Sequence, residues 1–347
     1  MWMRRRMADR APADTRHKLA VVDLVKAAAC IMIFLYHCNT ILPGEWKFLT
    51  LFGQDLGNNL FFMVSGFTLA PSIDAATIMD FPAWYLKRLV RILPITAIAY
   101  VLAFARGYYS LHDPAVLFTI FIYPTLYWFI TAILVYYIIL FFGAKLLGKR
   151  VLFAISLLLA LIFILLYGRQ ERVYVIGLFS MLAGYQLREA ATGEHRTAGG
   201  TSGNRRKAMT GLIVCFAAFI LGETTDIPYV SGILVLLGAA GTGASALLYG
   251  CFVNKSLTAW CGVHRGAYDF IRYVGEMALP LYLVQCFCAG YIGYWIGLNI
   301  NFPLSFAVNF AVVWTAGTAL YAIEKYIGRC YTVLLEKKQK EDDALCL

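Results

Sequence analysis

Apolar runs of about 17 to 22 residues recur along the whole chain, and each is long enough to cross a lipid bilayer as a helix. A hydrocarbon core is roughly 30 Å thick, and a helix rises about 1.5 Å per residue. The runs do not alternate polar with apolar residues, which excludes the strands of a membrane barrel. Composition agrees, because 61% of the residues are hydrophobic and only 14% are charged. These features predict an all-α, polytopic membrane protein.

About ten spans are predicted, forming a helical bundle with the N- and C-termini on the cytoplasmic side. Their approximate ranges are 19–40, 55–71, 89–105, 127–146, 151–167, 173–188, 209–222, 228–250, 277–298 and 303–322. Between the third and fourth spans, the apolar segment from Leu111 to Thr125 is interrupted by Pro114 and Pro124. We expect it to re-enter the membrane or to lie along its surface, with an additional span as the alternative.

The distribution of basic residues sets the predicted orientation. Only four of the 30 lysines and arginines fall in outer loops, at Lys47, Arg106, Arg169 and Arg172, which leaves 30 − 4 = 26 on the cytoplasmic side. We therefore expect a multi-pass protein of the inner (plasma) membrane. It would have a basic cytoplasmic tail at 1–18, a transmembrane domain at 19–329 and a charged cytoplasmic tail at 330–347.

The net charge of +10 follows mainly from this topology and adds an attraction to anionic lipid. The basic residues are spread over separate loops without a binding motif, so nucleic-acid binding is not expected. The nine cysteines are scattered without a CxxC pair, and no metal site is predicted. The small residues of GAAGTGAS, Gly238 to Ser245, predict close helix packing rather than a phosphate loop.

The first span contains two residues that do not suit lipid, Lys26 and His37. They are eleven residues apart, which is about three helical turns plus 20°, so they share one face with a rise of roughly 16 Å. A titratable group within a span usually faces the bundle interior and marks a pathway or a site. The alternative is that Lys26 pairs with Asp23 while His37 caps the helix near the interface.

A second basic feature lies in FPAWYLKRLVRILP, Phe81 to Pro94, which enters the third span from the cytoplasm. Arg88 and Arg91 are three residues apart and lie on neighbouring faces of a helix. The planar, permanently charged guanidinium suits phosphate. Together with Lys26, these arginines are candidates to hold a nucleotide-bearing donor, although cytoplasmic anchoring alone also produces such residues.

Five segments follow one another in a specific order over about residues 19–329. They are VDLVKAAACIMIFLYH with Lys26 and His37; LFGQDLGNNLFFMVSGFTLA with Phe61, Phe62, Ser65, Gly66 and Phe67; KRLVRILP with Arg88 and Arg91; YWFI at Tyr127 to Ile130; and GEMALPLYLVQ at Gly275 to Gln285. In this order they resemble the acyltransferase-3 family of integral membrane O-acyltransferases, as a stand-alone member. The last segment departs from the family pattern, with Ala278 and Leu279 where Ser and Tyr are usual and Gln285 where His is common.

The resemblance implies transfer of an acyl group, usually acetyl, from a cytoplasmic coenzyme A thioester to a hydroxyl of a carbohydrate, a lipid-linked sugar or a small molecule. Acetyl-CoA would then bind through Lys26, Arg88 and Arg91. Acyl transfer to a hydroxyl needs a base that works near neutrality, for which histidine is the usual choice. We expect His37 to deprotonate the acceptor hydroxyl or to carry the acyl group transiently.

Asp55 and Ser65 are the predicted helpers of His37. Asp55, at the outer start of the second span, is a candidate to orient the imidazole, with an interfacial aspartate as the alternative. Ser65 is a candidate donor to a developing oxyanion, with helix packing as the alternative. Glu276 and Glu324, at cytoplasmic helix ends, are expected to pair locally with Arg272 and Lys325 rather than to take part in catalysis.

Two other functions fit parts of the pattern. An exporter of a glycan or a lipid-linked precursor would use Lys26 and His37 as the polar lining of its pathway. An O-succinyltransferase would share the chemistry and differ only in the acyl pocket, which the sequence does not size. The identity of the acceptor, the side of the membrane on which it binds and the oligomeric state stay open.

Overall fold

The structure is a computed structural model, and it describes residues 19–105, 127–167, 172–192, 202–288 and 302–344. All regular elements within these ranges are helical, and none of the described residues forms a strand. This confirms the predicted all-α class. The segment with Pro114 and Pro124 and the N-terminal tail 1–18 lie outside the described residues.

Twelve α-helices are found in the described ranges. They are α1 Ala20–His37, α2 Asn58–Ala75, α3 Phe81–Ala105, α4 Trp128–Leu146, α5 Lys149–Tyr167, α6 Arg172–Thr192, α7 Ser202–Thr224, α8 Pro228–Phe252, α9 Asn254–Val263, α10 Arg265–Glu276, α11 Ala278–Cys288 and α12 Phe302–Ala344. The described residues also contain two 3₁₀ turns and one π-turn. The 3₁₀ turns are Gly44–Thr50 and Ile78–Asp80, and the π-turn is Gly53–Gly57. Local chemistry sets some boundaries: Pro228 opens α8, and Gly148, with a φ of 79°, separates α4 from α5.

Seven helices of the described part are long and apolar enough to cross a membrane. They are Ala20–His37, Ile78–Ala105, Trp128–Leu146, Lys149–Tyr167, Gly203–Thr224, Pro228–Phe252 and Phe302–Leu334. The predicted spans at 55–71 and 173–188 overlap helices α2 and α6, and the span at 277–298 begins with α11. The count of about ten spans and the sides of the two termini stay predictions. The last helix continues past residue 329, the predicted end of the transmembrane domain, to Ala344.

The described residues divide into two compact units. The first contains the chain up to residue 36, 45–78 and 132–276, and the second contains 37–44, 79–131 and the residues from 277 onward. Helices α2 and α5 to α10, with most of α1 and α4, therefore form the first unit. Helices α3, α11 and α12 form most of the second.

Backbone contact between helices at glycines organises the first unit. A Cβ added to Gly66 on α2 would lie 2.8 Å from the carbonyl carbon of Met181 on α6. Conversely, one added to Gly184 on α6 would lie 2.8 Å from the carbonyl carbon of Met63 on α2. The two helices therefore cross with their backbones touching, which only glycine permits.

The same principle joins α7 to α8. A Cβ on Gly238 would lie 2.6 Å from the Cα of Phe219, and Gly241 faces the side chain of Cys215. These contacts confirm the packing role predicted for the small residues that begin at Gly238.

A network of polar side chains ties α2, α5 and α6 together at one end of the first unit. Lys149 Nζ lies 3.0 Å from the Asp74 carboxylate and 3.3 Å from that of Glu189. The Tyr185 hydroxyl donates to the other oxygen of Asp74 at 2.6 Å. The contacts hold the first residues of α5 against the last turns of α2 and α6.

The second unit packs α11 and the long helix α12 against α3. The buried residues of α12 recur every three or four positions: Ser305, Asn309, Val313, Gly317, Leu320 and Glu324. Gly317 allows α11 to approach, because an added Cβ would lie 2.6 Å from a Leu281 methyl. The buried stripe is apolar at its centre and ends in a carboxylate.

Candidate functional site

Helix α1 carries both unusual residues of the first span. It is continuous from Ala20 to His37, so the predicted separation of about 20° between Lys26 and His37 applies. Both side chains are half-buried rather than fully exposed. A lysine and a histidine therefore share one face of a helix that is apolar enough to span the membrane.

Helix α10 packs against α1 beside Lys26. A Cβ added to Gly275 would lie 3.4 Å from the Lys26 Cβ and 3.1 Å from the carbonyl oxygen of Asp23. The Tyr268 hydroxyl donates a hydrogen bond of 3.0 Å to the buried Asp23 carboxylate. Burial, and then this bond, raise the pKa of Tyr268 to about 12. Sequence reasoning named Asp23 as a possible neighbour of Lys26 but did not foresee Gly275 or Tyr268.

At the other end of α1, the π-turn approaches closely enough to require glycines. A Cβ added to Gly53 would lie 2.7 Å from the Met32 carbonyl oxygen, and one added to Gly57 would lie 2.8 Å from the Ile33 side chain. The Tyr36 hydroxyl donates to Gln54 Oε1 at 3.0 Å. The spacing Gly53-x-x-x-Gly57 thus fits this turn onto the last turns of α1.

Asp55 lies in the middle of this π-turn and is only 5% exposed. Asn59 donates to the backbone carbonyl of Asp55, and Asn58 donates to that of Gln54 at 2.9 Å. The Oδ1 atoms of Asn58 and Asn59 are buried and accept no hydrogen bond from the described residues. Asp55 is therefore buried rather than exposed, and its role in orienting His37 stays a prediction.

Ser65 is half-buried on α2, next to the crossing at Gly66. Its backbone carbonyl accepts a hydrogen bond of 3.1 Å from Thr68 Oγ1. The glycine beside it clearly serves helix packing, as the alternative interpretation of this pair expected. The oxyanion role of Ser65 stays a prediction.

Arg88 lies on the buried face of α3. Its guanidinium carbon is 3.6 Å from the centre of the Trp84 ring, and Nη1 donates to the Trp84 carbonyl oxygen. The buried residues Trp84, Ile92 and Ile95 define this face, and Arg88 falls between the first two. A cation held on an indole ring keeps its charge while its orientation is fixed. Trp84 was not singled out by the sequence, although an i, i+4 Trp–Arg pair on a helix is a recognisable signal.

Arg91 makes an ion pair that the sequence did not predict. Its Nε lies 2.7 Å from Glu324 Oε1 on α12, 233 positions away along the chain. Glu324 is 8% exposed, while the Arg91 side chain is 64% exposed. The predicted pairing of Glu324 with Lys325 is therefore wrong, and Lys325 instead lies over the Tyr321 ring. The predicted pair of Glu276 with Arg272 is confirmed, at 4.0 Å.

Two of the motif segments meet within the second unit. The fully buried Tyr127 hydroxyl donates to the Leu283 carbonyl at 3.1 Å, and the rings of Phe129 and Tyr282 are 5.0 Å apart. Gln285, in the same motif segment as Tyr282 and Leu283, is 1% exposed. These segments therefore form a core of the second unit.

The candidate residues are distributed over both units. Lys26, Asp55 and Ser65 belong to the first, and His37, Arg88 and Arg91 belong to the second. A joint site made of all six stays a prediction. Among the described residues, no group of three or more histidines, cysteines, aspartates or glutamates is placed to hold a metal ion.

A family model described as an acyltransferase domain, acyltransferase 3, matches residues 19–322. The chain belongs to this family. A search of curated proteins and a search of solved structures gave no match.

Membership of the acyltransferase-3 family makes the chain a multi-pass membrane acyltransferase. The match includes all six candidate residues and the five motif segments. It ends two residues before Glu324, so the partner of Arg91 lies just outside the matched range.

Proposed function

We propose that this acyltransferase moves an acetyl group from cytoplasmic acetyl-CoA to a hydroxyl of a carbohydrate, a lipid-linked sugar or a small molecule. The observation that carries the proposal is the placement of Lys26 and His37 on one face of α1, both half-buried. Exposure to lipid would be costly for either side chain, so the shared face points to a polar path through the protein. We further propose the inner (plasma) membrane as its location, where acetyl-CoA is reached from the cytoplasm.

Arg88 and Arg91 are the proposed contacts of the donor phosphates, with Lys26 as a further contact. Acetyl-CoA carries a 3′-phospho-ADP group, for which guanidinium groups provide paired, charge-assisted hydrogen bonds. The stacking of Arg88 on Trp84 and the pairing of Arg91 with Glu324 support this role, because both contacts restrict arginines before a ligand arrives.

His37 is the proposed reactive group. In direct transfer, its imidazole takes the proton of the acceptor hydroxyl as the oxygen attacks the thioester carbonyl. The tetrahedral intermediate then expels the coenzyme A thiolate, which takes the proton from the imidazolium, leaving an acetyl ester and free thiol. In the stepwise variant, the imidazole nitrogen attacks the thioester first and expels the coenzyme A thiolate, which takes the N–H proton of the imidazole. The acceptor hydroxyl then attacks the acyl-imidazole, and the imidazole leaves with the proton of that hydroxyl.

Asp55 and Ser65 are proposed to assist this step. A buried carboxylate that accepts the other imidazole N–H fixes the tautomer and stabilises the imidazolium, as in catalytic triads. The hydroxyl of Ser65 is proposed to donate to the oxyanion of the intermediate. The burial of Asp55 supports its role, because a carboxylate in a dry environment interacts more strongly with a neighbouring imidazolium than one in water.

The test is binding of acetyl-CoA to the purified protein in detergent. Wild type is compared with Arg88→Ala, His37→Ala and the control Arg150→Ala, which removes an exposed arginine from the start of α5. We expect Arg88→Ala to weaken binding about 10- to 100-fold, because charge-assisted hydrogen bonds contribute roughly 1.5–3 kcal/mol each. His37→Ala and Arg150→Ala should bind nearly as tightly as wild type.

Transfer is measured with the same proteins and radiolabelled acetyl-CoA. His37→Ala should abolish transfer while binding is retained, and unchanged turnover would remove His37 from the mechanism. If wild type and Arg88→Ala bind acetyl-CoA with equal affinity, Arg88 is not a donor contact and serves only to anchor the helix at the membrane surface. Absence of binding to folded wild type would favour the exporter, and a preference for succinyl-CoA would favour the succinyltransferase.

A further inference from the structure

Glu324 occupies an unusual place for a carboxylate in a membrane helix. It continues the buried stripe of α12 that runs through Gly317 and Leu320, so it faces the interior of the second unit rather than lipid. It is 8% exposed, and its Oε2 accepts no hydrogen bond from the residues that the structure describes. A buried carboxylate is costly unless a cation compensates it. Its ion-pair partner is Arg91, with 2.7 Å between Oε1 and Nε.

The geometry of this pair differs from that of a simple tie between two helices. Glu324 binds the Nε edge of Arg91, the edge nearest the chain, and the arginine side chain is still 64% exposed. A guanidinium carries five N–H donors in a rigid plane, so a partner at Nε sets the direction in which the outer nitrogens lie. The contact therefore holds the Nε atom of Arg91, while most of the side-chain surface stays exposed.

We propose that Glu324 is a positioning residue that orients Arg91 for the donor phosphates of acetyl-CoA. The inference rests on the donor-binding role of Arg91 in the proposed function. An arginine that is already held loses less side-chain freedom when a ligand binds, and this gain appears as affinity. Glu324 plays for Arg91 the part that the Trp84 ring plays for Arg88.

Electrostatic repulsion between Glu324 and the donor phosphates opposes the positioning effect, so the direction of the change in donor affinity distinguishes the two. The carboxylate is negative, and the phosphates are negative, so a purely electrostatic Glu324 would weaken donor binding. If positioning dominates, removal of the carboxylate weakens binding. If repulsion dominates, the same removal strengthens it.

The experiment compares acetyl-CoA affinity and transfer kinetics for Glu324→Leu, Glu324→Gln, Arg91→Ala and the double variant Arg91→Ala/Glu324→Leu. The control is Glu189→Leu, which makes the same chemical change at a carboxylate that is 73% exposed. Leucine resembles glutamate in size and suits a buried position, while glutamine keeps the acceptor oxygen if leucine disturbs folding. Thermal unfolding in detergent checks that each protein is folded.

We expect Glu324→Leu to raise the Kd and the KM for acetyl-CoA about three- to tenfold with little change in kcat. Glu324→Gln should fall between this variant and wild type, because its Oε1 can still accept from Nε. Glu189→Leu should bind as wild type does. The double variant should bind no more weakly than Arg91→Ala alone, since Glu324 acts through Arg91.

The outcomes separate this inference from the proposed function. If Arg91→Ala leaves donor affinity unchanged, the donor role of Arg91 fails and the inference fails with it. If Arg91→Ala weakens binding but neither Glu324 variant does, only the positioning role is overturned. Tighter binding by Glu324→Leu, or additive losses in the double variant, would also overturn it.

Discussion

The crossing of α2 and α6 at Gly66 and Gly184 leads to a quantitative prediction about stability. An added Cβ at either glycine would lie 2.8 Å from a backbone carbonyl carbon of the other helix, closer than the 3.0 Å that real Cβ atoms respect. Backbone cannot rotate away as a flexible side chain does. Gly66→Ala or Gly184→Ala must therefore push the two helices apart along their whole contact.

The expected cost can be worked from packing energies. Overpacking a tight interior typically costs about 1–3 kcal/mol, and separating packed surfaces by about 0.5–1 Å forfeits a quarter to a half of their dispersion attraction. Since both helices are affected, we expect each alanine to cost about 3 kcal/mol. Once the helices have separated, the second alanine finds space, so the double variant should cost much less than the sum of the two.

The assay is thermal unfolding in detergent at one fixed scan rate, because membrane proteins often unfold irreversibly. Gly328→Ala is the matched control: nothing lies within 4 Å of its added Cβ, and alanine favours a helix over glycine by up to about 1 kcal/mol. It should unfold at or above the wild-type temperature. The backbone contact would be refuted if Gly66→Ala and Gly184→Ala unfolded at the wild-type temperature. It would also be refuted if the loss of stability in the double variant equalled the sum of the two single losses.

Two further predictions concern the contacts of α10 with α1. Gly275→Val should impair acetyl-CoA binding, because the valine side chain meets the Lys26 Cβ and the Asp23 carbonyl. Gly266→Val is the control, since nothing lies within 4 Å of a Cβ added there. Equal effects of the two variants on affinity would argue against Lys26 as a donor contact. Tyr268→Phe should destabilise the protein equally at pH 6 and pH 9, since burial and the bond to Asp23 raise the pKa of Tyr268 to about 12. The stability that this raised pKa represents is fully present below the ordinary tyrosine pKa near 10 and is lost as the pH rises through about 12. The measurement is thermal unfolding of wild type and Tyr268→Phe at both pH values. A difference in unfolding temperature that changes between pH 6 and pH 9 would contradict the raised pKa of Tyr268.

Helix content and the limits of several helices follow from the sequence because both depend on local properties. The spans predicted at 127–146 and 228–250 correspond to Trp128–Leu146 and Pro228–Phe252. Length, hydropathy and the proline or glycine at their boundaries determine these helices. The packing at Gly238 was predicted for a similar reason, since small residues in a span suit close helix contact.

The contacts of the candidate residues depend on chain segments far apart and could not be predicted in this way. Lys325 is the nearest cation to Glu324 in sequence, yet the fold presents Arg91 from α3 instead. Which face of α12 meets α3 is decided by the packing of its whole buried stripe. The π-turn around Asp55 was also missed, because its wider hydrogen-bond spacing has no simple sequence signature.

That π-turn has a consequence for how the N-terminal end of α2 can change. A π-turn holds one residue more than an α-helical turn, so it absorbs a difference in helical phase between the segments on its two sides. Deleting one residue from Gly53–Gly57 would join the preceding segment to α2 in continuous α-helical phase and swing it by about 100°. The backbone contact between α2 and α6 at Gly66 and Gly184 would be unchanged, because Gly66 lies further along the chain than the deletion. Single-residue insertions and deletions in this turn are therefore a route by which the direction of the Asp55 carboxylate can vary while the scaffold beneath it stays the same.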